Sequence, residues 1–123
     1  MQIPILKQGP FLIISIQTIV GDKDLVALKE ELAVKVGENR SKGVIIDVTT
    51  LDVLDSFSTR TLQNIAATVR LRGAETVIVG IQPDVAFAMV QLGLKLNDIR
   101  TALNFEEGVL LLNRYLEEKN NDF

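Results

Sequence analysis

The sequence predicts an α/β domain built on a mixed, largely parallel β-sheet with an N-terminal hairpin and about four helices. Three observations lead to it. Apolar runs of strand length alternate with segments whose apolar residues recur at helical spacing, the pattern of a layered parallel sheet. The run Val44-Ile45-Ile46-Asp47-Val48 has no polar alternation, as a strand covered on both faces requires. Two β-type runs at the start are separated by Lys7-Gln8-Gly9-Pro10, whose turn chemistry suggests a hairpin.

The elements follow in order. Ile3–Leu6 and Phe11–Ile16 are the hairpin strands. Gly21-Asp22 offers a helix cap, and Leu25, Leu28, Leu32 and Val36 then recur at helical spacing, with Lys29, Glu30, Glu31 and Lys35 on the other faces. Gly37 is expected to close this helix at a C′ position. After the strand Val44–Val48 and an acidic loop, Leu62, Ile65, Ala66 and Val69 mark a second amphipathic helix, ended by Gly73. Thr76–Ile81 is the next strand. Gln82-Pro83 begins a third helix with proline in its first turn, an inner stripe of Val85, Ala86, Met89 and Leu92, and a stop at Gly93. Residues Asn97–Leu103 read as a loop leading into a short strand at Thr101–Leu103. Glu106–Glu118 is the last helix, with Val109, Leu112 and Leu116 inward, and residues 118–123 are expected to form a frayed tail. The expected organisation is a single domain over residues 1–123, with no internal repeat or low-complexity linker.

Composition excludes more than it suggests. Lys and Arg total 13 against 16 for Asp and Glu, and no basic stripe appears, so neither nucleic acid nor an anionic membrane is an expected partner. There is no cysteine, hence no disulfide, thiol nucleophile or thiolate metal site. There is also no histidine, which removes the Ser-His-Asp triad, the imidazole base and ordinary zinc or iron sites. The N-terminal residues lack the features of a signal peptide, and no apolar run is long enough to span a bilayer. A cytoplasmic protein without cofactor or metal is the expectation.

The informative stretch is the acidic loop after Val44–Val48, which runs through Asp52 and Asp55 into Ser56-Phe57-Ser58-Thr59-Arg60. In parallel sheets function collects at the carboxyl ends of strands, and Gly80-Ile81-Gln82-Pro83 is expected beside it. A helix start carries unpaired N–H groups and partial positive charge, so it can accept an anion or a phosphoryl group. Either Asp55 or Ser56 can serve as its N-cap. Ser56 is also a modifiable hydroxyl, with Arg60 one turn on able to reach a phosphate and Asp52 and Asp55 repelling it. A magnesium site made by Asp47, Asp52 and Asp55, as in receiver domains, is disfavoured. The acidic pair and lysine of that class are missing at Ile16-Gln17-Thr18 and Val79-Gly80-Ile81. Gly80–Asp84 lacks the glycines and lysine of a phosphate loop. Arg70, Arg72 and Lys95 are expected as solvated or interface charges.

Asp55-Ser56 following Val44-Ile45-Ile46-Asp47 resembles the STAS domain of anti-sigma-factor antagonists. Leu71-Arg72-Gly73-Ala74-Glu75, Gly80-Ile81-Gln82-Pro83 and Val90-Gln91-Leu92-Gly93-Leu94 resemble its stressosome branch, of RsbS-type scaffolds. The resemblance extends over nearly the whole chain. It implies the STAS fold, and a serine at a helix start that a partner kinase phosphorylates. Ser56 matches that acceptor. Phe57 and Ser58 depart from the family pattern of Asp-Ser-Ser-Gly or Asp-Ser-Thr-Gly, and Ser58 and Thr59 remain rival acceptors. Asp47, Asp52, Asp55 and Arg60 form the surroundings of the phosphosite.

The resemblance further implies partners and a role. The chain would be a phosphorylatable scaffold and antagonist of an RsbT-like serine/threonine switch kinase. It would self-associate and assemble with RsbR-like STAS paralogues, and an RsbX-like phosphatase would reset it. It would be a substrate and antagonist, not an enzyme. The alternative is a simple anti-anti-sigma factor of a partner-switching module without a large assembly. A hydrolase using Ser56 has no histidine to activate the hydroxyl. A detached transporter-type STAS domain binding a nucleotide is a further alternative.

Overall fold

The computed structural model describes residues 3–17, 20–97 and 99–120. Its elements run β1 (Leu6–Gln8), β2 (Phe11–Ser15), α1 (Asp22–Asn39), β3 (Gly43–Asp47), α2 (Ser56–Leu71), β4 (Glu75–Val79), α3 (Pro83–Gln91), β5 (Arg100–Ala102) and α4 (Phe105–Asn120). The strands form one sheet in the order β1-β2-β3-β4-β5. β1 is antiparallel to β2, and every other pair is parallel. The expected mixed sheet with its hairpin and four helices is present.

Neighbouring strands in the sheet are also neighbours in sequence, so each crossover steps the same way. Connections of one hand then place α1, α2 and α3 on one face. The period-two alternation of strand side chains divides the core accordingly. Leu12, Ile14, Val44, Ile46 and Ile78 join Leu28, Leu32, Ile65, Val69, Val85 and Met89 in one buried cluster. The intervening Phe11, Ile45, Val77 and Val79 join Leu112 of α4 on the other face. Both faces of β3 are therefore covered, which accounts for its unbroken apolar run.

Helix α4 packs across β3, β4 and β5, and two glycines permit its close approach. A methyl group on Gly108 would lie 2.7 Å from Val79 Cγ1, and one on Gly43 would lie 2.8 Å from Leu112 Cδ1. At the start of β4, the buried Glu75 carboxylate accepts from Arg70 Nη2 at 2.8 Å. Arg70 was expected as a solvated or interface charge. Its role here is to compensate a buried carboxylate, with Arg100 Nε at 4.0 Å from the same oxygen.

Several element boundaries differ from the sequence-based expectation. β1 is Leu6–Gln8 rather than Ile3–Leu6, because it is an exposed edge strand that apolar character does not mark. Ile3 is buried against the core without belonging to a strand. Helix α1 continues through Gly37 and ends at Arg40, which adopts the left-handed conformation at φ 50°. Gly37 lies under the Arg72 guanidinium, so the missing Cβ makes room for a neighbour rather than ending a helix. In α3 only Val85 and Met89 are buried; Ala86 is exposed, and Leu92 lies beyond the helix at its C-cap. Leu94, Leu96 and Ile99 complete that part of the core instead. β4 and β5 each begin one residue earlier than expected and end short of the predicted limits. α4 starts under an Asn104 cap, whose Oδ1 accepts from Glu107 N at 2.9 Å. It stays helical through Asn120, where fraying from residue 118 was expected; residues 121–123 lie outside the described residues. Lys119 Nζ sits 6.0 Å from the Tyr115 ring centroid, a contact one turn back that favours the helical end.

The two helical glycines should respond oppositely to alanine. Gly108→Ala should lower stability by about 1–3 kcal/mol, since stiff Val79 cannot yield easily. Gly37→Ala should be neutral or stabilising by up to about 1 kcal/mol, because the Arg72 head group can swing aside and helix propensity rises. Urea denaturation of both variants provides the comparison; equal midpoints would show that α4 is not held at close approach.

Candidate functional site

The site is the corner between β3 and α2. The backbone leaves β3 with its polar groups paired to both neighbouring strands. Ile16 N donates to Asp47 O at 2.9 Å, and Val48 N donates to Val79 O at 3.0 Å. The Asp47 carboxylate turns back to accept from Thr49 N at 2.8 Å and Thr49 Oγ1 at 2.5 Å. Thr50 Oγ1 lies 3.0 Å from Gln17 Oε1, after β2. From the β4 side, Gln82 Nε2 donates to Thr49 O at 2.7 Å. Gly80, at φ +80°, approaches Thr49 so closely that a Cβ would collide with its hydroxyl. The expected neighbour relation between the Asp47–Ser56 loop and Gly80–Pro83 is therefore real, and Thr49 is its hinge. Thr49 and Gln82 were missed as linking residues. Only Gly80, a glycine at a strand end, signalled a close approach.

The loop is anchored by Leu54, which is buried, while Asp52 and Val53 project into solvent. Burial of Leu54 fixes where α2 begins. Asp55 is the N-cap: it has extended backbone, and its Oδ1 accepts from Ser58 N at 2.7 Å. The cap alternative left open by the sequence is thus decided for Asp55, and Ser56 becomes the first helical residue. The Ser58 backbone N–H, followed by its hydroxyl, holds the Asp55 carboxyl below its ordinary value of 3.8.

The three hydroxyls differ in their surroundings. Ser56 is exposed and Ser58 is half-buried beside the Asp55 carboxylate. Thr59 is only 3% exposed, and its Oγ1 has no hydrogen-bond partner. Two residues on, Thr61 Oγ1 donates to Phe57 O at 2.9 Å, as buried helical threonines commonly do. Arg60 is exposed and lines the same cleft as Ser56 and Thr59. Asp47 and Asp55 are each engaged locally, and no cluster of acidic side chains able to hold a metal ion occurs among the described residues. No described helix is long and apolar enough to cross a membrane.

A β-hairpin feeding a parallel sheet, with a capped, hydroxyl-bearing helix start at the end of its central strand, defines the class. The chain belongs to the STAS-domain family, whose model matches residues 2–108. Over 99 residues, 78% of this chain, it is 31% identical to the RsbT co-antagonist protein RsbRA of Bacillus subtilis, and it spans about a third (36%) of that protein's length. A serine-to-glutamate variant of RsbS from Moorella thermoacetica superposes with a TM-score of 0.81 at 33% identity, covering 95% of this chain and 99% of that one. A chain from the molecular architecture of the stressosome, a signal integration and transduction hub, gives 0.78 at 35% identity, covering 92% and 98% respectively.

The cap makes a pH-dependent prediction. Asp55→Ala should lower stability by about 0.5–2 kcal/mol, and Asp55→Ser should recover most of the loss. Because the folded-state pKa of Asp55 is lowered, its contribution is complete above the unfolded-state value and drains away as pH falls through the folded-state value. The gap between wild type and Asp55→Ala in denaturant melts should therefore shrink between about pH 5 and about pH 2. A gap constant over that range would mean the carboxylate does not act as the cap.

Proposed function

We propose that this chain is a phosphorylatable scaffold that restrains an RsbT-like serine/threonine switch kinase, and that Ser56 is the acceptor. The observation that carries the reading is the contrast among the three hydroxyls. Ser56 stands exposed at the first position of a capped helix, whereas Ser58 is half-buried beside the Asp55 carboxylate and Thr59 is buried. A kinase can reach Ser56 without unwinding α2. Transfer of the γ-phosphoryl group of ATP to Ser56 Oγ forms a serine phosphate and releases ADP and the hydroxyl proton. It adds about −1.5 to −2 charges to a surface already carrying Asp52 and Asp55. A kinase seated there would meet new like-charge repulsion.

The likeness to RsbRA, named as an RsbT co-antagonist, supports restraint of a kinase of that type. The likeness to RsbS and to a stressosome chain supports co-assembly with RsbR-like paralogues and with further copies of itself in a cytoplasmic particle. A phosphatase of the RsbX type would return the corner to its binding state. In this reading the chain is a substrate and binding partner and performs no catalysis itself.

Incubation with an RsbT-like kinase and ATP, followed by peptide mass spectrometry, should place one phosphate on Ser56. Phosphate on Ser58 instead would overturn the site assignment, and an unmodified loop would overturn the mechanism. In a pull-down, Ser56→Ala should retain the kinase, and Ser56→Asp should weaken its binding about tenfold or more, equivalent to about 1.4 kcal/mol. Equal retention by both variants would contradict a charge-based release.

A further inference from the structure

Ser56, Thr59, Arg60 and Gln63 form one stripe along α2 at the spacing of a single helix face. That stripe is one wall of an open cleft of about 340 Å³, and the opposite wall is the segment after α3, including Lys95 and Asn97. Gln63 Nε2 donates to the Lys95 carbonyl, which ties the second wall to the first. Two features of the cleft suit an anion. It lies at the N-terminal, partially positive end of a 16-residue helix and carries the cationic side chains Arg60 and Lys95. Independently, Thr59 is among the residues that line it, and its Oγ1 is buried and has no partner. A buried hydroxyl without a partner is costly, and one additional acceptor atom in the cleft would satisfy it.

We infer that this cleft is the docking site for the phosphoryl group carried by Ser56. The phosphate folds back over the first turn of α2 and accepts from the Thr59 hydroxyl. It also draws the Lys95 side chain onto it. Phosphorylation then does more than place charge on the surface: it fastens the segment Gly93–Asn97 to the start of α2. The phosphate thus has two opposed sets of neighbours, Arg60 and Lys95 in the cleft and Asp52 and Asp55 on the incoming loop. The inference rests on Ser56 as the acceptor, and its test is chosen to be independent of any kinase.

Phosphoserine is installed at position 56 by genetic incorporation into the full chain, and its second ionisation is followed by ³¹P nuclear magnetic resonance. A free phosphoserine has a second pKa of about 6. Thr59→Val and Lys95→Gln should each raise the value found in the otherwise unchanged phosphoprotein, by about 0.3–0.5 unit or more, because each removes a group that favours the dianion. Lys119→Gln, on α4, should leave it unchanged. Amide hydrogen exchange across Gly93–Asn97 should slow several-fold when phosphoserine replaces serine. An unchanged pKa in either Thr59→Val or Lys95→Gln overturns the docking, since a response to Lys95 alone would be only long-range charge. An equal response in Lys119→Gln overturns it as well. Thr59→Val is nearly isosteric and removes an unpaired hydroxyl, so the variant should fold. Failure here would leave kinase modification of Ser56 untouched, whereas an unmodified Ser56 in the kinase experiment would not alter the titration.

Discussion

Burial of β3 on both faces obliges the chain to satisfy its polar groups at once when it leaves the sheet, and the geometry of the corner follows from that obligation. Val44, Ile45 and Ile46 are fully enclosed. Each such side chain contributes about 1.5–3 kcal/mol relative to exposure, far more than any single contact in the loop. The strand end cannot therefore shift to suit the loop; the loop must suit the strand. Backbone bonds from Ile16 to Asp47 and from Val48 to Val79 continue the ladder past the strand's last residue, and Asp47 closes on Thr49. Leu54 then returns to the core. With the loop fixed at both ends by the strand and by Leu54, α2 has one place to begin, and Ser56 emerges exposed as a consequence.

The electrostatics of that helix start are mixed. The macrodipole and the first-turn N–H groups favour negative charge by about 0.3–1 kcal/mol at an exposed site. Asp55 already supplies some of that charge by capping Ser58 N. A second anion on Ser56 would gain from the helix end and lose to Asp55 and Asp52, and solvent screens both effects. The two influences are of similar size, so the secondary structure should persist through modification while the surface potential changes. Such a corner can signal to a partner without unfolding. Its rigidity comes from the buried Val44, Ile45 and Ile46 of β3, from Leu54 and from the Thr49–Gly80 approach, none of which carries a charge that modification would oppose.

The elements legible in the sequence were those whose apolar pattern is dictated by burial. Leu25, Leu28, Leu32 and Val36 of α1 and Leu62, Ile65, Ala66 and Val69 of α2 are buried as their spacing implied. Edge and end effects were less legible. β1 is exposed throughout, so nothing in its side chains distinguishes strand from turn. Gly37 looked like a helix stop because glycine is ambiguous between conformational freedom and lack of bulk, and here the second applies. At the site, Asp55 and Ser56 were both plausible caps, and it is the extended backbone of Asp55 and its bond from Ser58 N that separate them. The contribution of Lys95 was invisible, since the 93–97 segment meets α2 through tertiary packing rather than through any local pattern.

An unpaired buried hydroxyl does not by itself mark a site, as a comparison of two threonines shows. Thr76 Oγ1 is also buried without a partner, but it belongs to β4, flanked by β3 and β5. Thr59 has the same deficit in a different setting, since it lines an open cleft together with the exposed Ser56, Arg60 and Lys95. Thr61 shows that α2 can satisfy such a group through the carbonyl four residues back. For Thr59 that carbonyl is Asp55's, which accepts from the Thr59 backbone N–H at 2.9 Å. The Thr59 hydroxyl does not share that carbonyl as Thr61 and Thr68 share theirs, and it is left without a partner. Local rules that hold along the rest of α2 break at the residue facing the cleft, and departures of that kind concentrate where a fold meets its ligands.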